Sequence, residues 1–287
     1  MNGYVIITDS ACDLGKDRLC EWGIPYSPLT FRFDGEERQL RDDEMPSAEF
    51  YGKMRMGGVA KTSAVNTEDF KGIFRAPLES GLDVLYVGFS SGLSTTYNSA
   101  RIAAEQMRAE YPERKIITVD TLAASAGEGL ILYLAKRKKD EGASIDEVAA
   151  FAEDIKLKIS IWFTVDDLVY LKRGGRISAA AAFFGNMLGI KPVMHMDNEG
   201  HLVPVAKARG RRGAIEALSK KYGELCRDGE NIAFISHADC EADAHRLADL
   251  IKEKYNAHTE LITSVGPVIG AHAGPGTLAL FFIGKER

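Results

Sequence analysis

The strongest constraint on the fold is the alternation of short β-rich runs with amphipathic helical patterns. Strands are predicted at residues 4–8, 26–33, 84–89, 116–119, 159–165, 192–196, 202–206, 232–236, 259–263 and 278–283. Helical spacing of apolar residues predicts helices near 47–56, 67–80, 95–111, 123–139, 145–158, 212–228 and 240–254. The runs at 84, 116 and 232 are nearly all apolar, as in strands covered on both faces. This alternation predicts an α/β fold whose sheet is mainly parallel and flanked by helices.

The rhythm of the pattern changes near residue 155. An apolar helix is predicted at 179–188, followed by a hairpin whose turn is formed by residues 197–200. A chain of 287 residues is long enough for two domains of ordinary size. We therefore expect an α/β domain at residues 1–155 and a second, mixed α/β domain at residues 156–287.

Charge and cysteine usage exclude several classes of function. The net charge of −5 argues against nucleic acid or an anionic membrane as the main partner. No apolar run is long enough to span a bilayer, so membrane insertion is not expected. The four cysteines form neither a C-x-x-C motif nor a disulfide framework, and free thiols are typical of the cytoplasm. The segment from His237 to His245 superficially suggests a metal site, but its spacings fit no named zinc pattern, so no metal is expected.

Hydroxyl-rich loops follow several of the predicted strands. They are Thr8-Asp9-Ser10 and the segment 90–97, which leads into a helix. A third hydroxyl-rich loop, Lys61-Thr62-Ser63, precedes the helix predicted at 67–80. Free N–H groups and the helix dipole favour an anion at such a helix N-terminus. Three serines and two threonines within seven residues exceed what simple capping needs. The segment 90–97 therefore favours a ligand site.

The segment 88–92 also matches G-x-S-x-G, the nucleophile elbow of serine hydrolases. Ser90 followed by a later Asp and His272 would give the chain order Ser…Asp…His. Against this interpretation, the helical pattern begins several residues after Ser90, and no oxyanion segment of the H-G-G type precedes it. A serine hydrolase using Ser90 and His272 remains the alternative function.

Two glycine-containing segments complete the set of candidate sites. Residues 266–277 hold four glycines and two prolines around His272, which predicts a loop that presents His272 and backbone N–H groups to a small ligand. Residues 172–178 are basic and contain Gly174-Gly175-Arg176. This second segment either neutralises an anion or simply turns the chain.

The motifs, taken in order, resemble the DegV family of bacterial fatty-acid-binding proteins. The resemblance runs nearly end to end and is specific in the order and spacing of its parts. They are Thr8-Asp9-Ser10 with Asp13-Leu14, Lys61-Thr62-Ser63, Ser90-Ser91-Gly92-Leu93-Ser94 with residues 96–100, Asp120-Thr121, residues 171–178, Ile190-Lys191-Pro192-Val193 and residues 266–277.

The resemblance implies a DegV-like two-domain α/β fold with one long-chain fatty acid held between the domains. It implies that Thr62 and Ser94 bind the carboxylate, with Ser63, His272 and Arg209 near the head group. It further implies no catalytic residue and no cofactor. The expected partner is a separate fatty-acid kinase that uses ATP and magnesium to form an acyl phosphate. A lipid sensor that works without a kinase is the remaining alternative.

The chain departs from the usual family pattern at two places. Ala64-Val65 stands where the family usually has Gln-Pro, and Thr95 stands where it usually has Gly. Both changes bear on kinase docking or on the head group, while Thr62 and Ser94 are present. The resemblance, together with a gain of about 0.8 kcal/mol for each buried methylene, implies an acyl chain of about 14–18 carbons.

Overall fold

The computed structural model describes residues 3–177 and 189–287. The strands are β1 (Tyr4–Asp9), β2 (Tyr26–Ser27), β3 (Thr30–Phe33), β4 (Leu40–Arg41), β5 (Ala60–Ser63), β6 (Asp83–Gly88), β7 (Ile116–Asp120), β8 (Ile159–Thr164), β9 (Ile190–Met196), β10 (Leu202–Arg209), β11 (Ile232–His237), β12 (His258–Ser264) and β13 (Leu278–Ile283). The helices are α1 (Lys16–Glu21), α2 (Ser47–Arg55), α3 (Thr67–Glu79), α4 (Thr96–Glu110), α5 (Ala126–Asp140), α6 (Ile145–Ile155), α7 (Val169–Arg173), α8 (Gly210–Leu225), α9 (Glu241–Tyr255) and α10 (Pro267–Ala273). The helix predicted at 179–188 lies outside the described residues.

A parallel sheet is formed by β2, β1, β6 and β7, in that order. Every residue of β6 is buried, which explains its apolar sequence, because helices cover both faces of a parallel sheet. Its helices include α3 and α4, which pack against β6, and α6, which packs against β6 and β7. This sheet confirms the predicted fold class.

A larger mixed sheet follows in the chain, with the order β10, β9, β8, β13, β11, β12. The β11–β12 pair is parallel, and the other neighbouring strands are antiparallel. The predicted hairpin is confirmed, since β9 pairs with β10 and Asp197 N–H donates to His201 O at 2.9 Å across the turn.

Helix α5 lies between the two sheets. It packs against β6 of the parallel sheet and against β8, β11 and β13 of the mixed sheet. Apolar residues cover most of its circumference, and Leu130, Ile131 and Leu132 are all fully buried. A helix that is apolar all round is one that is enclosed by protein. One cluster of buried apolar residues therefore includes Leu85 of the parallel sheet and Phe281 of the mixed sheet. The division of the chain into two domains at residue 155 stays a prediction.

The strand predicted at 26–33 is two strands in different sheets. Pro28 and Leu29 separate β2, which pairs with β1, from β3, which pairs with β4 and β5 in a small antiparallel sheet. Proline has no N–H to donate to a ladder, so a continuous strand is interrupted there. Residues 61–63, which the sequence analysis predicts as a loop, belong to β5 of this small sheet. The strand places Thr62 at the edge of a cavity.

Candidate functional site

A cavity of about 480 Å³ lies between the loops that follow β6 and β7 and one face of the mixed sheet. That face contributes Ile161, Phe163, Ala279 and Phe281, which are neighbours across β8 and β13. The wall is largely apolar. The volume of the cavity falls in the range of sites that bind small organic ligands. Residues numbered 29–125 and residues numbered 161–281 both contribute to the lining.

The structure brings Thr62 and His272 into direct contact at this cavity. Thr62 Oγ1 lies 2.8 Å from Nε2 of His272, although the two residues are 210 positions apart. Burial, followed by the nearby charge of Arg176, lowers the pKa of His272 to about 4. The imidazole is therefore neutral at pH 7, and one of its ring nitrogens is a donor while the other is an acceptor.

His272 lies on a short helix and not on the predicted loop. Pro267 occupies the first turn of α10, where its missing N–H costs nothing, and Gly274 ends the helix with a positive φ of 81°. The same glycines and prolines that indicated a loop are therefore the start and stop signals of a helix. The imidazole is held tightly, since a Cβ built on Gly174 would lie 2.1 Å from Nδ1 of His272.

Ser94 lines the cavity from the loop between β6 and α4. Its Oγ accepts a hydrogen bond from Thr96 N–H at 3.2 Å and lies 2.9 Å from Thr96 Oγ1. The first turn of α4 thus begins beside this hydroxyl, as the hydroxyl-rich sequence predicts. Thr95 adopts a right-handed helical backbone (φ −77°, ψ −3°), which a threonine tolerates, and it also lines the cavity, as does Ala64.

Among the described residues that line the cavity, Arg176 is the one with a positively charged side chain. Its Nε donates to Leu93 O at 3.2 Å, next to Ser94, and its Nη1 donates to Gly174 O. Half-burial of the guanidinium lowers its pKa, but an arginine remains charged at neutral pH. From the sequence, this basic segment either binds an anion or turns the chain. The contact between Arg176 and Leu93, 83 residues earlier, connects the segment to the site.

Ser63 and Arg209 lie elsewhere among the described residues. The Ser63 side chain is exposed and its Oγ accepts a hydrogen bond from Gln39 Nε2 at 3.1 Å. Arg209 is exposed at the end of β10. Neither belongs to the set of residues that line the cavity.

Ser90 and His272 have different partners in the described structure. Ser90 is fully buried, and its Oγ donates to Gly200 O at 3.0 Å and accepts from Gly92 N–H at 3.2 Å. His272 contacts Thr62 instead. A serine nucleophile needs an adjacent base. The hydrogen-bond partners of Ser90 Oγ in the described structure are backbone groups, which stabilise the turn.

Residues 3–177 and 189–287 lack two features that would point to other functions. They hold no group of three or more His, Cys, Asp or Glu side chains arranged to bind a metal ion. None of the helices in these ranges combines the length and apolar character needed to cross a bilayer.

Comparison with known proteins gives consistent matches along the whole chain. A family model described as "Uncharacterised protein, DegV family" matches residues 4–285. A DegV domain-containing protein of Clostridium perfringens is 43% identical over 289 residues, covering 100% of this chain and 99% of the relative.

Solved structures share the fold. A fatty acid-binding DegV family protein from Thermus thermophilus has a TM-score of 0.87 at 31% identity and covers 97% of this chain and 98% of its own. A stearic acid-binding protein from Eubacterium ventriosum has a TM-score of 0.86 at 26% identity, with coverage of 97% and 98%. With a family match from residue 4 to residue 285 and the fold in common, the chain belongs to the DegV family, in which fatty acid binding has been seen.

Proposed function

We propose that this protein binds a long-chain fatty acid in the cavity and presents its carboxylate to a fatty-acid kinase. The observation that carries the proposal is the clustering of polar groups at an otherwise apolar cavity. Thr62 contacts His272, His272 lies within the field of Arg176, and Arg176 contacts the loop that holds Ser94. Thr62, Ser94, Arg176 and His272 all line the same space.

The wall suits the alkyl chain. A tail of about 15 methylenes offers roughly 12 kcal/mol on leaving water, before the costs of ordering and association. The carboxylate resists burial unless it receives hydrogen bonds and a compensating charge. Because His272 is neutral, Arg176 supplies one positive charge for the one negative charge of the ligand.

The histidine sets the direction of the threonine hydroxyl. When Nε2 of His272 carries the proton and donates to Thr62 Oγ1, the Thr62 hydroxyl is free to donate its own proton to the carboxylate. The opposite tautomer would turn the threonine lone pairs toward the ligand and repel it. We assign His272 as a positioning residue and Thr62 and Ser94 as the residues that bind the carboxylate, with no catalytic residue.

The proposed setting is a cytoplasmic carrier that holds its ligand between residues 1–155 and 156–287. Free thiols at all four cysteines and lining residues from both parts of the chain support this. Relatives described as fatty acid-binding support the ligand class. Ser63 and Arg209, which the family resemblance puts near the head group, are assigned a smaller part than Arg176 because they lie outside the lining.

Mass spectrometry of the protein purified from bacteria tests the ligand. We expect co-purified acyl chains of about 14–18 carbons. A preparation that is empty and also refuses added palmitate contradicts the proposal. Fluorophosphonate labelling tests the hydrolase alternative, which predicts stable modification of Ser90.

A reconstituted assay tests the carrier role separately. The loaded protein is incubated with a fatty-acid kinase, ATP and magnesium, and acyl phosphate is measured. Formation of acyl phosphate supports the carrier. Tight fatty acid binding with no acyl phosphate from any kinase of the same cell favours the lipid sensor instead.

A further inference from the structure

The apolar wall of the cavity ends on the mixed sheet. Thr277, Ala279 and Phe281 line the cavity at every second position as the chain enters and follows β13, so they share one face. Ile283, the next residue on that face, is buried but does not belong to the lining. Ile161, which β8 places opposite Phe281, lines the cavity at the same level. The wall therefore stops at these two side chains, about 13 Å of strand beyond Thr277.

The other end of this wall lies beside the polar cluster. Thr277 Oγ1 donates to Ala273 O at 2.9 Å, and Ala273 directly follows His272 on α10. In the proposed complex the carboxylate lies beside His272, and the alkyl chain runs along the wall towards Phe281. The last carbons of a long chain therefore contact Phe281 and Ile161.

A glycine of α5 supports these two side chains. Gly127 lies in the first turn of the helix, and a Cβ built on it would lie 2.8 Å from Cδ1 of Phe281 and 3.0 Å from Cδ1 of Ile161. Ordinary van der Waals contact begins at 3.4 Å, so any other residue would push both side chains several tenths of an ångström off the helix. Because the φ of Gly127 is not in the left-handed region, the close approach and not the backbone requires glycine here.

The cavity is the space that can take up such a displacement. Phe281 and Ile161 belong to a cluster of buried apolar residues that also contains Leu130 of α5 and Ile283 of β13. Protein interiors are close-packed, so these neighbours leave little room. A side chain that is pushed off α5 therefore moves into the cavity and shortens it at its far end.

We propose that Gly127 sets the length of the alkyl chain that the cavity accepts, by letting Phe281 and Ile161 lie back against α5. Gly127 itself does not belong to the lining, so it is a positioning residue for the end of the wall. A larger residue at this position should favour shorter acids, and a smaller residue in place of Phe281 should favour longer ones. This inference rests on the proposed fatty acid binding and deepens it by naming what limits the chain.

A chain-length series tests the proposal. Saturated fatty acids of about 10 to 20 carbons, increasing by one carbon, compete with a fluorescent fatty acid for the delipidated full chain. Each methylene that becomes buried should tighten binding about fourfold, until the tail reaches Phe281 and the gain stops. We expect Gly127→Ala to move this break by about one carbon towards shorter acids and to weaken the longer acids about fourfold or more.

Gly129→Ala is the matched control on the same helix. A Cβ built on Gly129 would lie 2.8 Å from Cys12 O and 2.8 Å from Cδ2 of Leu14, and neither of these residues lines the cavity. This variant should lower the unfolding temperature and leave the break at the chain length of the unchanged protein. A structural loss alone therefore does not reproduce the effect expected for Gly127→Ala.

A second variant keeps the test decisive if Gly127→Ala fails to fold. Phe281→Leu removes part of the far wall, so it should move the break by about one carbon or more towards longer acids. Combined with Gly127→Ala, it should return the break to that of the unchanged protein.

Three outcomes overturn the inference. They are a break that stays in place in Gly127→Ala, a break that stays in place in Phe281→Leu, and a shift of equal size in Gly129→Ala. In each of these cases the unchanged protein still binds the acids, and the proposed function stands. An unchanged protein that binds none of the acids overturns the proposed function as well.

Discussion

Replacing Gly174 with alanine tests whether His272 must be held in place. Gly174 has φ −72° and ψ −12°, so alanine fits the backbone. Its Cβ, however, would lie 2.1 Å from Nδ1 of His272, whereas real Cβ contacts essentially never fall below 3.0 Å. The imidazole must therefore move by about 1 Å away from Gly174, and we expect a shift of that size to disturb the 2.8 Å contact with Thr62.

The expected cost follows from the hydrogen bond that is lost. A hydrogen bond contributes about 0.5–1.5 kcal/mol, and a buried partner left unpaired costs about 1–3 kcal/mol. We expect Gly174→Ala to weaken palmitate binding by about 1–3 kcal/mol, or roughly 5- to 150-fold. Titration calorimetry with palmitate on the delipidated protein measures this loss directly.

Gly175→Ala is the matched control. Gly175 has φ 69°, so alanine strains the same segment, but nothing lies within 4 Å of the added Cβ. It should lower the unfolding temperature and leave palmitate affinity close to that of the unchanged protein. In a double-mutant cycle, Gly174→Ala should add little to His272→Ala. Unchanged affinity in Gly174→Ala, or an equal loss in Gly175→Ala, refutes the reasoning.

Three further outcomes are expected from the site and its surroundings. Arg176→Gln should weaken palmitate binding about tenfold or more in a competition assay, while Arg209→Gln should leave it unchanged; the reverse result would move the head group to β10. Thr62→Ala combined with Ser94→Ala should cost about 1–3 kcal/mol per lost donor, and unchanged calorimetric affinity would remove both residues from the site. Burial raises the pKa of Asp42 from 3.8 to about 7, so the unfolded chain ionises first and stability falls as pH rises between these values, by at most ~4 kcal/mol. Asp42→Asn should remove that loss. If the difference in urea-unfolding free energy between Asp42→Asn and the unchanged protein stays constant from pH 4 to pH 8, this expectation is contradicted.

Local patterns were enough to predict most of the longer elements of the fold. The strand β6 and the amphipathic helices α3 and α6 can be predicted from the spacing of apolar residues within a short stretch of sequence. The order of the strands in the sheet could not be predicted in this way. The sequence around residues 278–283 does not indicate that β13 lies between β8 and β11. That arrangement depends on which apolar faces complement one another across the whole chain.

The candidate site divides in the same way. Thr62, Ser94 and His272 came from motifs in the sequence, and all three line one cavity. Arg176 was left undecided because its contact with Leu93 is a tertiary one. Gly127 carried no signal at all, since its close approach to Phe281 is also a tertiary contact. The helix at His272 was missed because proline and glycine indicate both loops and helix ends.

The central place of β13 also has a consequence for how the protein is made. Strands β8 and β11 share β13 as a neighbour, and β13 follows both of them in the sequence. Two partial sheets, β10-β9-β8 and β11-β12, therefore have open edges until β13 is synthesised. Such edges are sites of aggregation. Until residues 278–283 leave the ribosome, the cavity lacks the part of its wall that Ala279 and Phe281 supply, and we expect the nascent chain to be most prone to aggregation in that interval.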